Sequence, residues 1–175
     1  MPIQVLPDQT VAQIAAGEVV ERPASAVKEL MENALDAGAT VVHVAIDGGG
    51  RKRIHVSDNG CGILAEEVEL AFARHATSKL ATIDDLSHIK TLGFRGEALS
   101  SIASVSRASV TTRHRDETMG MQMRIEGGTV MQKQAVGAPA GTVIEIENLF
   151  YNTPARLKFL KKEATEKRHI ASIVT

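Results

Sequence analysis

The sequence predicts an α+β fold, a two-layer sandwich in which a mixed, largely antiparallel sheet is backed by helices. Three observations lead to this expectation. Apolar residues recur at helical spacing over residues 23–37, they alternate over residues 40–58 as in a β-hairpin, and further strand patterns follow between residues 105 and 148. The strands outnumber the helices that could alternate with them, which favours helices on one face of the sheet.

Length and composition narrow the class of protein. A chain of 175 residues fits one domain, and a hydrophobic fraction of 43% argues against disorder. The net charge of −1 and the aromatic content of 3% argue against a dedicated nucleic-acid binder that stacks bases.

The expected location is the cytoplasm. The single cysteine, Cys61, cannot form a disulfide within the chain, which fits a reducing compartment. Asp8 and Glu18 interrupt the N-terminal residues, so no signal peptide is predicted. No uncharged apolar run approaches the roughly 18 residues that a membrane span requires. We therefore expect a soluble domain without membrane contact.

Two helices are predicted near the N-terminus, after an apolar segment over residues 1–7 that is expected to form an arm. The first helix is capped by Asp8 and ends at Gly17. The second runs over residues 23–37, with Gly38 at its end. The residues of the second helix at helical spacing form its predicted buried face: Val27, Leu30, Met31, Ala34 and Leu35.

The remaining elements follow from alternation, turn residues and helix signals. Asp47-Gly48-Gly49-Gly50 turns the hairpin, and Arg51-Lys52-Arg53 gives its tip a basic character. Residues 75–95 lack strong periodicity, which is typical of a functional lid. The other predicted elements are helices over about 65–74, 96–103 and 163–175, a basic helix that begins at Asn152-Thr153-Pro154, and strands over about 105–113, 119–126, 129–136 and 142–148.

Glu29, Asn33 and Asp36 form a polar stripe opposite the apolar face of the second helix. Taken alone, such a stripe is most simply a solvated helix surface. The mixture of residue types also permits chemistry, because side chains at i and i+4 lie about 5–6 Å apart at their Cβ atoms. A carboxylate there can activate a water while the amide supplies an oxygen ligand to Mg²⁺. Asparagine is a poor helix former, which a purely structural role leaves unexplained.

Asp58-Asn59-Gly60-Cys61-Gly62 ends the second strand of the hairpin. A turn is the simple interpretation, and it accounts for Asn59-Gly60. It leaves Gly62 unexplained, since a second glycine would let the backbone approach a flat ligand closely. Asp58 could accept a hydrogen bond from an exocyclic amino group. Cys61 is interpreted as a small filler, because no partner for a nucleophilic thiol is discernible in the sequence.

Gly93-Phe94-Arg95-Gly96-Glu97-Ala98-Leu99 places two glycines at the start of a predicted helix and matches neither a Walker A sequence nor GxGxxG. Glycines there free backbone N–H groups for a phosphate, and the helix dipole favours the negative charge. A plain helix cap is the alternative. Thr77-Ser78-Lys79 upstream offers hydroxyls and a cation, and could equally be ordinary loop residues.

Taken together, these motifs resemble those of the GHKL ATPase superfamily, and specifically of the MutL family of DNA mismatch-repair proteins. The resemblance extends over nearly the whole chain. The matching blocks are Leu6 to Pro23, Glu32 to Thr40, Asp58 to Ile63, Arg74 to Lys79, Leu92 to Leu99, and Phe150 to Arg156.

The resemblance implies roles for the candidate residues. Glu29 would be the general base that activates water, Asn33 would hold Mg²⁺, and Asp36 would have a positioning role. Asp58 would recognise the adenine amino group, with Gly62 giving the base room. The residues implied to complete the ATP site are Thr142, reaching the adenine through a water, and Thr77, Ser78, Lys79, Gly93, Phe94, Arg95, Gly96, Glu97, Ala98 and Leu99 around the phosphates.

The resemblance also implies the GHKL/Bergerat ATP-binding fold and Mg²⁺-dependent ATP hydrolysis. Residues 1–175 would be a fragment of a longer parent, without the second domain that contributes a lysine to the γ-phosphate and without the C-terminal dimerisation region. Hydrolysis is therefore expected to be weak. In the parent, ATP would drive a conformational and homodimerisation switch that couples a mismatch-recognition protein to a downstream repair nuclease or helicase, with residues 1–7 as an exchanged arm.

Three other functions are weighed against this one. The chain could bind ATP with little or no turnover in this form. The related histidine kinases use a similar nucleotide fold, but none of the six histidines lies in an evident phosphoacceptor helix pair. Direct DNA binding is expected to be weak at most, because the basic clusters at Arg51-Lys52-Arg53 and Arg113-His114-Arg115, and at Lys158 with Lys161-Lys162, are more often solvated surface.

Overall fold

The computed structural model describes residues 2–73 and 98–175. The α-helices there are α1 (Asp8–Val19), α2 (Pro23–Asp36), α3 (Val68–Ala71), α4 (Ala98–Ser104), α5 (Pro154–Phe159) and α6 (Glu163–Val174). The strands are β1 (Val42–Asp47), β2 (Arg53–Asp58), β3 (Arg107–Arg113), β4 (Gly120–Glu126), β5 (Thr129–Val136) and β6 (Gly141–Glu147). Short 3₁₀ turns cover Gly48–Gly50 and Ala65–Glu67.

The strands form one sheet in the order β1-β2-β6-β3-β4-β5, and each described pairing is antiparallel. The sheet and its helical layer confirm the predicted α+β sandwich. β6, which is last in the sequence, lies in the middle between β2 and β3. Asp58 at the end of β2 and Thr112 near the end of β3 therefore both lie opposite Thr142.

Alternation along the central strands separates an apolar face from a polar one. Apolar side chains on one face contribute to the core beneath the helices; the fully buried or nearly buried ones on these strands are Ile54, Val56, Ala108, Val110, Met123, Ile125, Ile144 and Ile146. A one-residue slip would expose this set, so burial fixes the register of the strands.

The opposite face carries charged pairs across β1, β2 and β6. Arg53 Nε lies 2.7 Å from Asp47 Oδ2, and Arg53 Nη1 lies 2.7 Å from Glu145 Oε1. The hydrogen bond from Arg53 lowers the pKa of Glu145. His55 Nδ1 lies 3.2 Å from the same carboxylate oxygen. Partly exposed pairs of this kind stabilise a fold only weakly, but they agree with the register that burial imposes.

α2 packs over β2 and begins, as expected, with Pro23 at its first turn. Val27, Leu30 and Ala34 are buried, which confirms the predicted apolar face. Leu35 was expected on that face but is 54% exposed. Eight residues of helix rotate Leu35 by about 80° from Val27, which carries its side chain past the edge of the buried face.

α1 differs from its prediction at both ends. Pro7, and not Asp8, is the N-cap residue, and no side chain caps the helix; Asp8 lies inside the first turn, where its charge still favours the helix dipole. Gly17 does not end the helix, which continues to Val19. The Arg156 guanidinium lies where a Cβ on Gly17 would be, so the glycine serves a close side-chain approach within the helix.

The N-terminal arm and the outer strand β5 are the most exposed parts of the described chain. Residues 2–7 form no helix or strand, and Ile3 and Val5 have essentially full solvent exposure. Seven of the eight residues of β5 are exposed. Within the described ranges, none of the helices combines the length and apolar character needed to cross a bilayer.

Candidate functional site

Asp58 lies at the C-terminal end of β2, where it is half-buried. The Gly60 N–H donates a hydrogen bond of 2.8 Å to Asp58 Oδ1, and the backbone of Thr142 makes a second hydrogen bond to the Asp58 carboxylate. Desolvation by burial raises the pKa of Asp58, and the two backbone hydrogen bonds only partly oppose this effect. The result is a carboxylate with restricted hydration and a fixed orientation.

The loop after Asp58 is tied to the end of α2. Asn59 Oδ1 accepts hydrogen bonds from the N–H groups of Thr40 and Val41, at 2.8 and 3.0 Å. The Cys61 N–H donates a 3.0 Å hydrogen bond to Ala37 O, and Gly60 lies so close to Ala37 that a Cβ would collide with it. The turn interpretation is therefore correct for Asn59-Gly60, and the turn fixes Asp58 relative to α2.

Gly62 has the left-handed backbone conformation, with φ +74°, that favours glycine. A Cβ there would collide with Arg113 O on β3, so the loop passes directly over the neighbouring strand end. Cys61 is partly buried, and its thiol contacts Gly62 O at 3.4 Å. This placement agrees with its interpretation as a small filler between two closely packed glycines.

Two buried threonines on adjacent strands lie beside Asp58. We call Asp58, the loop over residues 59–63, Thr112 and Thr142 the Asp58 corner. Thr142 is 9% exposed and Thr112 is 1% exposed, and their Oγ1 atoms are 2.8 Å apart. Thr112 Oγ1 also accepts the Ile63 N–H at 2.9 Å and lies 3.0 Å from Gly141 O. Thr142 was predicted from the sequence and Thr112 was not, because only the pairing of β3 with β6 brings Thr112 to this position.

The polar stripe lies on α2, one end of which is bonded to this corner. Glu29 and Asn33 are half-buried, and Asp36 is exposed at the last helical turn. Their neighbours Leu30 and Ala34 are buried, which fixes the rotation of the helix about its axis. At i and i+4 spacing, the Glu29 carboxylate and the Asn33 amide share one side of α2. Such an arrangement can position a water and offer one oxygen ligand to a hard cation.

No cluster of three or more histidine, cysteine, aspartate or glutamate side chains in the described ranges could hold a metal ion by itself. Asn33 is the candidate that the sequence analysis named for Mg²⁺, through its amide oxygen. A single protein oxygen suits Mg²⁺ only when waters and ligand phosphates complete its octahedral shell. The donor set therefore fits a metal that arrives with a phosphate ligand.

Much of the predicted phosphate-binding segment lies outside the described residues: Thr77, Ser78, Lys79, Gly93, Phe94, Arg95, Gly96 and Glu97. The last two predicted members are described. Ala98 is 4% exposed at the start of α4, and Leu99 packs against the hydrophobic core. The side chains of Ala98 and Leu99 therefore stabilise α4, and a role at a phosphate would fall to their backbone N–H groups.

A separate open cleft of about 590 Å³ lies between α1, the start of α2, α5 and α6. None of the predicted site residues lines it. Its lining includes Arg22 and Arg156 as well as Glu21 and Glu166, so its charges are mixed. The Asp58 carboxylate and the α2 stripe do not line this cleft, so the cleft is not part of the candidate site.

Comparison with known proteins identifies the family. Residues 21–151 match the family described as histidine kinase-, DNA gyrase B- and HSP90-like ATPase. This range includes the α2 stripe, the Asp58 loop and both threonines. The match therefore covers the described site as well as all six strands of the sheet.

Individual relatives are more specific. The DNA mismatch repair protein MutL of Acidobacterium capsulatum is 57% identical over 173 residues, or 99% of this chain and 26% of that protein. MutL of Geobacter sulfurreducens is 55% identical over 99% of this chain and 28% of that protein. The chain thus spans about a quarter of the length of these curated relatives.

Solved structures agree. The Aquifex aeolicus MutL ATPase domain complexed with ADP has a TM-score of 0.73 and 38% identity, over 89% of this chain and 54% of that one. The N-terminal domain of a DNA repair protein also has a TM-score of 0.73, with 31% identity, over 94% of this chain and 46% of that one. The chain therefore belongs to the histidine kinase-, DNA gyrase B- and HSP90-like ATPase family, and within it to the MutL group of DNA mismatch-repair proteins.

Proposed function

We propose that this domain binds ATP together with Mg²⁺ and hydrolyses the terminal phosphate bond. The observation that carries the proposal is the corner at Asp58, a half-buried carboxylate held by two backbone hydrogen bonds beside Gly62 and Thr142. The Aquifex aeolicus relative is complexed with ADP, which supports a nucleotide as the ligand.

The chemistry of the corner suits an adenine ring. A carboxylate has about four lone-pair sites, so Asp58 can accept from Gly60, from Thr142 and from one further donor. The exocyclic amino group of adenine is such a donor. The left-handed glycine at position 62 lets the loop backbone pack against Arg113 O beside Asp58. Asp58 is accordingly the residue for base recognition, with Gly62 and Thr142 as its neighbours.

Hydrolysis requires a base and a way to neutralise phosphate charge. Glu29 takes the proton from the attacking water, whose oxygen forms the new bond to the terminal phosphorus as the bond to the leaving ADP oxygen breaks. Asn33 holds the Mg²⁺ through its amide oxygen, and the ion, when bound, offsets charge on the phosphates. Asp36, at the exposed end of α2, has a positioning role and no part in the chemistry.

We expect the phosphates to contact residues that lie mostly outside the described ranges, and this expectation comes from the sequence alone. Gly93 to Leu99 would wrap the triphosphate as a lid, and Thr77-Ser78-Lys79 would approach it. In the parent protein, ATP binding would order this lid and promote homodimerisation. The switch would couple a mismatch-recognition protein to a repair nuclease or helicase, and DNA contact through this domain would be weak.

The competing proposal is a module that binds ATP with little or no turnover in this 175-residue form. The corner supports recognition, because Asp58, Thr112 and Thr142 each have protein hydrogen-bond partners. Both proposals require ATP binding at Asp58. They differ only in whether Glu29 is presented to a terminal phosphate in a reactive geometry.

Calorimetry with ATP and a non-hydrolysable ATP analogue, with and without Mg²⁺, tests binding, and a phosphate-release assay on the same protein tests turnover. Asn33→Ala is expected to remove most of the Mg²⁺-dependent gain in affinity. Lys28→Ala, on an exposed position of the same helix, is the matched control and should behave as wild type. Failure of the wild-type protein to bind either nucleotide contradicts both proposals, whereas binding without turnover supports the second.

A further inference from the structure

We propose that Thr112 is a positioning residue that determines nucleobase specificity by fixing the direction of the Thr142 hydroxyl. This inference rests on the proposed function, because it concerns how the same corner recognises adenine. Thr112 lies on β3 and not on α2, so we expect its effect at the base.

The hydrogen bonds of Thr112 Oγ1 reach two walls of the corner. The Ile63 N–H, next to Gly62 in the loop, donates to it at 2.9 Å. Gly141 O lies 3.0 Å away and Thr142 Oγ1 lies 2.8 Å away, both at the start of β6. One buried hydroxyl thus links the loop after β2 to the strand that faces Asp58.

The number of protons determines the direction of these bonds. A hydroxyl has one proton to donate and two lone pairs to accept with. Gly141 O can only accept, and the Ile63 N–H can only donate. All three contacts are satisfied when Thr112 donates to Gly141 O and accepts from both Ile63 and Thr142. The proton of Thr142 is then committed to Thr112, and the two lone pairs of Thr142 are left as acceptors.

In this arrangement, the Asp58 carboxylate and the Thr142 hydroxyl both act as hydrogen-bond acceptors. The Asp58 carboxylate accepts from the base, and the Thr142 oxygen accepts from the water that would bridge it to the base, so together they favour a base whose edge carries an amino group. A base with a keto oxygen at that edge places acceptor against acceptor. Without the Thr112 hydroxyl, the Thr142 proton is free to turn outward and donate to the bridging water, which can then turn a proton toward a keto oxygen. Thr112 therefore acts through Thr142 and does not touch the base.

A buried threonine could also serve only to stabilise β3 against β6. In that case its removal would reduce the amount of folded protein and weaken every nucleotide alike. A positioning role instead changes the ratio of affinities for two bases. Inosine triphosphate is the probe, because it replaces the adenine amino group with a keto oxygen and leaves the ribose and phosphates unchanged.

The experiment compares dissociation constants of ATP and inosine triphosphate for wild type, Thr112→Val and Thr112→Ser. Thr112→Val keeps the volume and removes the hydroxyl, so we expect ATP affinity to fall about tenfold, or about 1.4 kcal/mol. Affinity for inosine triphosphate should change less, which lowers selectivity. Thr112→Ser restores a hydroxyl and should recover most of the wild-type selectivity.

Thr111→Val is the matched control, because Thr111 is the adjacent residue of β3 and its side chain lies on the other face of the strand. Its selectivity should equal that of wild type. If Thr112→Val does not fold, Thr112→Cys takes its place with the same expectation, since a thiol is a weak donor and acceptor. Unchanged selectivity in the folded valine or cysteine variant, or equal selectivity for the serine and valine variants, overturns the inference. Lack of ATP binding by wild type overturns the proposed function as well.

Discussion

The corner at Asp58 and the polar face of α2 are the two halves of the proposed site, and they are built in opposite ways. The corner draws on the end of β2, the following loop, β3 and β6, and glycines permit its closest approaches. The α2 half comes from one helix, whose spacing places Glu29 and Asn33 on the same side. A 3.0 Å hydrogen bond from the Cys61 N–H to Ala37 O connects the two halves.

This difference indicates separate roles for the corner and for α2. The corner is held by hydrogen bonds between strands and loops, which suits discrimination among ligands, because a misplaced partner atom costs affinity. The helix presents its groups from a single rigid element, which suits the placement of a base and a metal ligand along a phosphate chain. Substitutions in the corner should therefore change recognition and stability, whereas substitutions on α2 should change turnover and the Mg²⁺-dependent part of ATP affinity.

The largest effect is expected for Glu29→Ala. Loss of a positioned general base should reduce turnover by about 10²–10⁴-fold, while ATP affinity changes little. Single-turnover phosphate release and calorimetry on the same protein measure the two quantities. Glu66→Ala, on an exposed glutamate of the second 3₁₀ turn, is the control. Undiminished hydrolysis by Glu29→Ala, with contaminating activity excluded, would remove the catalytic role of Glu29.

The second largest effect is expected for Asp58→Ala, which should weaken ATP binding. A hydrogen bond to a charged group contributes about 1.5–3 kcal/mol, so ATP affinity is expected to fall by about 10–100-fold. Asp47→Ala removes an exposed carboxylate at the end of β1 and should leave affinity unchanged. If Asp58→Ala binds ATP as tightly as Asp47→Ala and wild type, the base is not recognised at the corner, and the separate roles proposed for the corner and α2 are wrong.

Gly62→Ala tests the close packing of the corner. Its φ of +74° and the contact with Arg113 O should make alanine destabilising by about 1–3 kcal/mol, as measured by urea unfolding. Gly137→Ala is the matched control, because nothing lies within 4 Å of a Cβ there. Its unfolding free energy should stay within about 0.5 kcal/mol of wild type. Equal stability of the two variants would show that the loop accommodates a side chain without strain.

The smallest effect is expected from pH. Because burial raises the pKa of Asp58, its ionised form is lost at a higher pH than that of an exposed aspartate. ATP affinity should therefore decline a few-fold as pH falls through this raised pKa. The folded state binds the proton more tightly than the unfolded chain, so the contribution of Asp58 to the unfolding free energy is most favourable at low pH and decreases as pH rises.

Asp58→Asn isolates this contribution. The ratio of wild-type to variant affinity at each pH cancels the titration of the nucleotide itself. This ratio should fall as the solution becomes acidic, and the unfolding free energy of the variant should lack the component assigned to Asp58. Parallel affinity profiles for the two proteins would mean that the ionisation of Asp58 does not contribute to binding.

Local elements were predictable because their signals are local. The hairpin over 40–58, the apolar face of α2 and the four later strands have nearly their predicted positions, since periodicities of 2 and 3.6 residues reflect burial on one side. The errors also have local causes. Gly17 looked like a helix end because the sequence does not show that Arg156 approaches it, and Leu35 lies just beyond the buried arc.

The sequence by itself determined the residues that make a nucleotide site chemically credible: the Glu29 and Asn33 spacing, the Asp58 loop and its glycines. Only the tertiary structure decided that β6 lies between β2 and β3, and hence that Thr112 meets Thr142 although 30 residues separate them. Strand order and register depend on contacts that are distant in sequence, so no local periodicity records them. A residue such as Thr112, whose role depends on its partners, becomes apparent only when the strands are paired.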